Sequence, residues 1–274
     1  MERSTEGAEA LATDRPGSGA GDPKMVWAVP CDCTAGDRTE RALQRARVPE
    51  RYRHCDFENY ETDNDIENVS REQLAAWNRS LTQAKLMVQR FASEFPLGSE
   101  HGLLLMGPCG VGKTHLAVSA MKSIVLRGHS GLFYDYRELL KAIQDSYNAE
   151  SQATEMSVLE PVLKTEILVL DDVGSSKPSL WALETVGHVL NTRYNEKRVT
   201  LLTTNFLDSD AAAANGSSGA TGRVAGMRSP TVEDSLTERV GKRIRSRLYE
   251  MCRTVEMTAP DYRKEIRHAG PFHS

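Results

Sequence analysis

Short apolar runs alternate with longer stretches of helical periodicity along most of this chain. The runs have the length and composition of buried parallel strands, and the stretches between them, such as Leu180 to Asn195, repeat apolar residues at helical spacing. The four runs are Leu103–Met106, Leu132–Asp135, Ile167–Leu170 and Thr200–Thr204. This alternation predicts an α/β fold with a central parallel sheet and right-handed crossovers.

Two further helices are predicted from apolar stripes. A capping-box sequence begins at Ser70, and apolar residues follow at helical spacing as far as Phe95, which indicates a core helix. A second helix is predicted from Ser235 to Cys252, with Arg245 on its solvated basic flank. The apolar stripe of this second helix consists of Val240, Ile244, Leu248 and Met251, and the arginines beside it are Arg239, Arg243 and Arg247.

Composition is that of one main globular domain with a small appendage. The chain has 274 residues, of which 39% are hydrophobic and 26% are charged. No stretch approaches the roughly 20 apolar residues of a membrane span, and the N-terminus lacks an apolar signal core, so we expect a cytoplasmic protein with no membrane partner. The net charge of −4 argues against a general nucleic-acid-coating protein, although the segment from Arg239 to Arg267 is locally basic.

Low-complexity segments predict the domain boundaries. Met1–Pro30 is rich in Gly, Ala, Glu and Ser without periodicity, so it is predicted to be disordered or only locally ordered. Residues 1–46 are set apart as an N-terminal region, to which the family resemblance described below assigns partner binding. Residues 47–267 are predicted to form the main domain, and residues 268–274 a tail. Within the main domain, the polar stretch 208–234 is interpreted as a flexible insertion.

A phosphate-binding loop follows the first predicted strand. Residues Gly107 to Thr114 read Gly-Pro-Cys-Gly-Val-Gly-Lys-Thr and fit the pattern G-x-x-x-x-G-K-[ST]. Glycines allow several backbone N–H groups to approach a phosphate, and the helix that follows points its positive N-terminus at the same anion. The sequence therefore predicts a nucleoside triphosphate site formed by Gly107, Pro108, Cys109, Gly110, Val111, Gly112, Lys113, Thr114 and His115.

Two side chains of this loop have specific predicted roles. Lys113 is expected to reach the β- and γ-phosphates, where its charge adds to that of the helix dipole. The hydroxyl of Thr114 is a hard oxygen ligand, which suits Mg²⁺. Binding is therefore predicted to depend on this metal.

The apolar run Ile167–Leu170 ends in two carboxylates, Asp171 and Asp172. It resembles a Walker B element, in which a buried strand delivers acids at the edge of the sheet. Asp171 is expected to hold Mg²⁺ through water, and Asp172 to orient or deprotonate the attacking water. Related ATPases often have Glu where this chain has Asp172, and the shorter side chain predicts slow turnover.

Further catalytic candidates follow later in the sequence. Asn205 ends the strand Thr200–Thr204, and its amide is expected to contact the γ-phosphate or the attacking water. This position resembles sensor I of an AAA+ ATPase; the alternative is an ordinary turn residue. Beyond it, the arginine-rich helix is either a solvated basic surface or the source of an arginine finger, which stabilises transition-state charge in a neighbouring subunit.

The five cysteines are odd in number and irregular in spacing, which favours reduced thiols over a disulfide framework. Cys31 and Cys33 supply half of a zinc site, but the sequence lacks the expected partner C-x-x-C pair. Cys109 lies inside the phosphate loop, where backbone dipoles favour its thiolate. We therefore expect its alkylation to block nucleotide binding.

Together, the segments GPCGVGKTHLA, LDDVG, TTNF and RIRSRLYEMC resemble the bacterial DnaC/IstB-type AAA+ family, over roughly Arg47 to Arg267. The resemblance implies a RecA-like parallel sheet and an oligomeric ATPase that binds single-stranded DNA. It also implies a role in loading the replicative helicase or in assisting a transposase. Only 17 residues follow Met257, so the full helical lid of many AAA+ proteins is expected to be missing.

The resemblance also assigns individual residues. It places the finger on Arg247 within Ser246-Arg247-Leu248, with Arg243 as the alternative, and places the segment Arg47–Arg53, with Phe57 and Tyr60, near the adenine. Two other functions stay open at this point. One is a nucleotide-gated adaptor that recruits a helicase or transposase. The other is a P-loop kinase or GTPase, which the missing N-K-x-D motif disfavours.

Overall fold

The computed structural model describes residues 32–64, 66, 69–97, 101–147, 154–176, 179–208 and 235–265, except for the side chains of 32–37 and 265. Several predictions concern residues outside this set. They include the N-terminal segment 1–30, the side chains of Cys31 and Cys33, nearly all of the insertion 208–234, and the tail 268–274. In the described ranges, no helix is both long and apolar enough to cross a membrane.

Five parallel strands form one sheet in the order β2-β3-β4-β1-β5. The predicted α/β fold with a central parallel sheet is therefore confirmed. All five residues of β1 and of β3 are buried, as expected for strands covered by helices on both faces. The strands are β1 (Gly102–Met106), β2 (Gly131–Asp135), β3 (Ile167–Asp171), β4 (Val199–Thr204) and β5 (Cys252–Glu256).

Helices cover both faces of this sheet. A 3₁₀ turn, Glu50–Tyr52, also precedes the second helix. The helices are α1 (Asp32–Arg45), α2 (Arg71–Glu94), α3 (Lys113–Leu126), α4 (Tyr136–Asp145), α5 (Glu155–Lys164), α6 (Leu180–Asn195), α7 (Leu236–Met251) and α8 (Tyr262–Glu265).

Alternate residues of β1 enter two separate hydrophobic cores, as the pleat of a strand requires. Leu103 and Leu105 pack with apolar residues of α1, α2 and α3 on one face. Leu104 and Met106 pack with residues of α4, α5, α6 and α7 on the other. The predicted stripe of α7 is buried in this second core, so it has a structural role.

Helix α1 extends the packed part of the protein upstream of Arg47. Leu43 and Ala46 are buried in the first core, and the backbone N–H of Phe133 donates a 2.8 Å hydrogen bond to the carbonyl of Ala46. This contact covers the outer edge of β2, which is an edge strand. The boundary at residue 46 stays a prediction, but the end of α1 packs into the first hydrophobic core.

The C-terminal part differs from the sequence prediction in two ways. Cys252 begins β5, a strand that was not predicted, and β5 pairs with β1 at the edge of the sheet. Helix α7 is interrupted at Gly241, whose φ of 78° and ψ of 156° are outside the helical region. Such angles are almost exclusive to glycine, so this residue sets the break between the first turns of α7 and the rest.

Candidate nucleotide-binding site

A pocket of about 900 Å³ lies at the carboxyl end of the sheet, where β1, β2, β3 and β4 deliver their last residues. Ligands of open parallel sheets bind at this edge. The pocket is lined by Cys109–His115 of the predicted phosphate loop, but not by Gly107 and Pro108, together with Asp171, Asp172 and Asn205. One cavity therefore brings together residues that are far apart in sequence. These residues were predicted to act on one phosphate group.

The glycines of the loop are required by its close packing. Gly110 and Gly112 have φ angles of 81° and 90°, which L side chains rarely adopt. A Cβ atom on Gly112 would lie 2.4 Å from the ring of Tyr60, and one on Gly110 would lie 1.7 Å from the carboxylate of Asp261. The loop is thus held between a residue upstream of α2 and a residue downstream of β5.

Lys113 begins α3 and is almost fully buried, with 6% of its surface exposed. Its ammonium donates hydrogen bonds of 2.8 and 2.7 Å to the carbonyls of Gly107 and Pro108. Burial lowers the pKa of Lys113 to about 8, although the negative charges of Asp171 and Asp172 act in the opposite direction. The loop therefore contains a desolvated cation whose charged form an anionic ligand would stabilise.

Thr114 and Asp171 form the predicted metal-binding pair. The Thr114 hydroxyl lies 2.9 and 3.1 Å from the two carboxylate oxygens of Asp171. Burial raises the pKa of Asp171, while hydrogen bonds from Thr203 and Thr114 lower it. A hydroxyl and a carboxylate side by side are a hard oxygen donor set, so these two residues fit Mg²⁺.

Asp172 and Asn205 form a second polar pair at the mouth of the same pocket. The Asn205 amide donates a 2.6 Å hydrogen bond to the Asp172 carboxylate. Asp172 has a φ of 58°, a left-handed conformation that residues with a Cβ atom rarely adopt. The strand end thus presents two carboxylates in different settings, one buried against threonines and one bonded to an amide.

His115 and Val111 are hydrogen-bonded to residues upstream of α2. His115 Nε2 lies 2.9 Å from the carbonyl of Asp56, and burial lowers the pKa of the imidazole, which favours its neutral form. The Tyr60 hydroxyl donates to the carbonyl of Val111 over 2.8 Å. Cys109, by contrast, is exposed and its thiol is free.

Several pocket residues were missed by the sequence analysis. Tyr262 and Arg263 line the pocket from the segment after β5, to which no site residue was assigned. The Tyr262 hydroxyl donates to Glu61 over 2.7 Å, and its backbone N–H donates to the carbonyl of Gly110 over 3.3 Å. Their sequence signal is weak, because an aromatic and a basic residue near a chain end have no characteristic spacing.

The segment predicted to lie near the adenine contributes only some of its residues to the pocket, and its role stays a prediction. Arg51, Tyr52 and Tyr60 line the pocket, whereas Phe57 packs against the first hydrophobic core. Asp135 and Arg137, at the end of β2 and the start of α4, line the pocket as well and were not predicted. Thr203, also a lining residue, was assigned only to a strand.

Arg247 lies on the outer face of the protein, where α7 packs against α6. Its guanidinium stacks over the Tyr194 ring at 4.4 Å and donates to Asn191 over 3.0 Å and to Glu250 over 2.6 Å. Arg243 is exposed one turn earlier. Both arginines are thus outside the pocket of their own chain, as a residue acting on a neighbouring subunit must be.

Arg245 differs from its prediction as a solvated flank residue. It pairs with the buried carboxylate of Asp208 and lies over the Tyr249 ring at 5.2 Å. The Tyr249 hydroxyl donates to the same carboxylate over 2.7 Å. Arg245 therefore anchors the end of the β4 loop to α7, because a buried carboxylate at this place requires a cation.

Comparison with known proteins connects this site to a family. The family described as IstB-like ATP binding protein matches residues 40–211, which contain the phosphate loop, Asp171, Asp172 and Asn205. The replicative helicase loader DnaC of Buchnera aphidicola subsp. Schizaphis graminum (strain Sg) is 26% identical over 169 residues, covering 62% of this chain and 63% of that protein. DnaC of Escherichia coli (strain K12) is 24% identical over 168 residues, covering 61% and 62%.

The match thus spans less than two thirds of the length of these curated relatives. Among solved structures, the crystal structure of the DnaC helicase loader superposes with a TM-score of 0.55 at 28% identity, covering 77% of this chain and 100% of the other. The chain belongs to the IstB-like ATP-binding proteins, within the DnaC/IstB-type AAA+ family.

Proposed function

We propose that this protein is an ATP-hydrolysing DNA replication protein of helicase-loader type, which acts on a replicative helicase and binds single-stranded DNA. The proposal is carried by the convergence of Lys113, the Thr114–Asp171 pair and the Asp172–Asn205 pair on one pocket. The similarity to DnaC helicase loaders supports the loader role. The protein acts as a homo-oligomer whose ATP-bound form assembles and whose hydrolysis leads to release.

Phosphoryl transfer requires positioning and neutralisation of charge more than covalent chemistry by the protein. Backbone N–H groups of the phosphate loop and the N-terminus of α3 bind the phosphates, and Lys113 supplies a positive charge beside the transferred group. Thr114 and Asp171 hold Mg²⁺, which when bound offsets the negative charge of the β- and γ-phosphates.

Asp172 orients the attacking water and accepts its proton, and the Asn205 amide keeps the Asp172 carboxylate in place. The side chain of Asp172 is one methylene shorter than the Glu common in related ATPases, so its reach towards the water is shorter. Turnover is therefore slow until a partner or DNA adjusts the pocket. The adenine lies against the residues upstream of α2, including Tyr52 and Tyr60.

Arg247 stabilises transition-state charge in the pocket of a neighbouring subunit. Its support by Tyr194, Asn191 and Glu250 on an outer face is compatible with this role, because the guanidinium is positioned before a neighbour docks. Arg243, exposed on the same helix, is the alternative finger. In either case hydrolysis depends on assembly of the oligomer.

A second candidate is a transposition helper or a nucleotide-gated adaptor that recruits a transposase. The match to IstB-like ATP binding proteins favours this candidate. Loader and helper share the ATPase core, so they differ in the partner and not in the chemistry of the pocket. In both, residues 1–46 bind the partner and residues 47–267 form the ATPase domain, with 208–234 as its insertion and 268–274 as a tail.

Hydrolysis of ATP, measured with and without single-stranded DNA over a range of protein concentrations, tests the proposal. We expect DNA to stimulate the wild type and expect Asp172→Asn to bind ATP without hydrolysing it. Co-purification with the replicative helicase of the same organism, in the presence of ATP, then separates the loader from the helper. Binding to a transposase but not to that helicase would favour the second candidate.

A further inference from the structure

Thr203 is a threonine in a strand that is buried throughout, and its hydroxyl therefore requires partners inside the protein. The residue is 1% exposed and lies one position before the end of β4. Its Oγ1 atom lies 2.6 Å from Asp171 Oδ1 and 2.9 Å from the backbone nitrogen of Asp172. One hydroxyl thus bridges the two consecutive acidic residues of the site.

The direction of both hydrogen bonds is fixed by chemistry. The backbone N–H of Asp172 can only donate, so Thr203 Oγ1 accepts from it. The single proton of the hydroxyl is then available for Asp171, whose carboxylate accepts it. The backbone carbonyl of Thr203 also accepts a 2.8 Å hydrogen bond from the N–H of Val173, so three successive residues are bound to this one position.

The contact to Asp172 has a conformational consequence. Asp172 has a φ of 58°, which a residue with a Cβ adopts only when its surroundings determine the backbone. The Thr203 hydroxyl binds the N–H of Asp172, and Asn205 binds its carboxylate. Residues at the end of β4 therefore hold both the backbone and the side chain of this turn.

The contact of Thr203 with Asp171 differs from that of Thr114. Thr114 must direct its hydroxyl oxygen at Mg²⁺ when it acts as a ligand, whereas the Thr203 hydroxyl oxygen already accepts from the Asp172 N–H and directs its proton at Asp171. Mutation of a residue that holds a metal ligand in this way typically lowers metal affinity or activity by about 10- to 100-fold.

We propose that Thr203 is a positioning residue of the ATPase site, which orients Asp171 for the metal and fixes the turn that aims Asp172 at the water. The proposal rests on the proposed ATPase function. Thr203 does not contact the reacting atoms itself. Its hydroxyl links the metal-binding and water-activating parts of the site by hydrogen bonds to Asp171 and to the Asp172 N–H.

The test compares Thr203→Val, which keeps the shape but removes the hydroxyl, with Thr203→Ser, which keeps the hydroxyl. Thr165→Val is a matched control, because Thr165 is a buried threonine at the opposite end of β3 whose hydroxyl makes only a 3.4 Å contact with the Ile167 carbonyl. All variants are made in the full chain. Amide exchange at Asp172 is measured by NMR, and Mn²⁺ binding with a non-hydrolysable ATP analogue by electron paramagnetic resonance.

We expect Thr203→Val to accelerate amide exchange at Asp172 while Val173, bound to a backbone carbonyl, stays protected. Mn²⁺ affinity and kcat are each expected to fall by about tenfold or more, with KM for ATP unchanged within about twofold. Thr203→Ser should restore all three measurements, and Thr165→Val should leave them unchanged.

The proposal would be overturned if Thr203→Val showed the same amide exchange at Asp172 and the same Mn²⁺ affinity as the wild type. It would also be overturned if Thr203→Ser were as impaired as Thr203→Val. A wild type that binds but does not hydrolyse ATP would refute the proposed ATPase function instead. The exchange and Mn²⁺ measurements would still decide the role of Thr203, so the two failures are distinguishable.

Discussion

The side-chain amide of Asn205 donates a 2.6 Å hydrogen bond to the carboxylate of Asp172. The two residues are the first to follow β4 and β3, which are neighbours in the sheet. Parallel strands end at the same edge, so residues 33 positions apart come into contact there. The pair places an amide donor and a carboxylate acceptor together at the pocket, which is the arrangement needed to hold one water molecule.

Removal of either member of this pair should reduce hydrolysis more than binding. Asp172→Asn removes the proton acceptor, and we expect kcat to fall by about 100-fold or more. Asn205→Ala should lower kcat by a similar factor, with ATP affinity within about threefold of the wild type. The double variant should be little worse than either single one, because the residues act as a unit. Additive losses would indicate independent roles.

The sequence predicted this pair in part. The phosphate loop, Asp171, Asp172 and Asn205 could be identified because each follows an apolar run, and parallel strands bring their ends together. Thr203 could not be singled out, because the strand Val199–Thr204 contains three threonines whose partners depend on how the strands pair. Thr200, for example, accepts a hydrogen bond from the fully buried Arg193.

The C-terminal contribution could not be predicted for a different reason. Tyr262 and Arg263 reach the pocket because β5 pairs with β1, a contact between residues about 150 positions apart that local periodicity does not reveal. The break at Gly241 was also missed, since the apolar stripe of α7 continues across it. Local patterns thus indicated the elements, whereas long-range pairing determined which residues line the site.

Lys113 predicts a pH dependence of ATP affinity. Burial lowers the pKa of its ammonium from 10.5 to about 8, and bound phosphates favour the charged form. Above pH 8 binding must therefore take up a proton, so the affinity should fall by up to about tenfold per pH unit. Below pH 8 this group should contribute little pH dependence.

The contribution of Lys113 to the free energy of unfolding changes with pH in the direction opposite to that of ATP affinity. Between pH 8 and 10.5 the unfolded chain binds more protons at this residue, so its contribution to the free energy of unfolding rises with pH.

Titrations with a fluorescent ATP analogue from pH 7 to pH 10 test the predicted pH dependence of ATP affinity. Lys113→Arg is the control, because its guanidinium stays charged in this range. A flat profile for the wild type would contradict the prediction.

Cys109 should be the site at which a thiol reagent blocks nucleotide binding. It is exposed in the phosphate loop, whereas Cys55 and Cys252 are buried and burial raises the pKa of both thiols. N-ethylmaleimide is expected to abolish ATP binding, with prior addition of ATP protecting the thiol. Cys109→Ser should bind ATP and resist the reagent. Undiminished binding after modification of Cys109, verified by mass spectrometry, would refute this.

Arg263 should contribute to nucleotide affinity in its own chain. Its exposed side chain lines the pocket, and its positive charge lowers the pKa of Lys113, after the larger effect of burial. Arg263→Ala is expected to weaken ATP binding by about tenfold, as loss of a charged hydrogen bond does. Lys264→Ala, one residue further, provides the control. An equal effect of the two variants would indicate general electrostatics and not a specific contact.

Arg247 should act on a neighbouring subunit. Arg247→Ala is expected to lower DNA-stimulated hydrolysis by about 1000-fold while ATP binding is unchanged. In mixtures, Asp172→Asn subunits, which bind ATP and have Arg247 but do not hydrolyse ATP, should restore hydrolysis by Arg247→Ala subunits, because each lacks what the other supplies. Restoration must depend on total protein concentration, since it requires assembly.

If Arg243→Ala shows this behaviour and Arg247→Ala does not, the finger is Arg243. If neither is restored by mixing, these arginines act only within their own chain, where Arg247 already contacts Tyr194, Asn191 and Glu250.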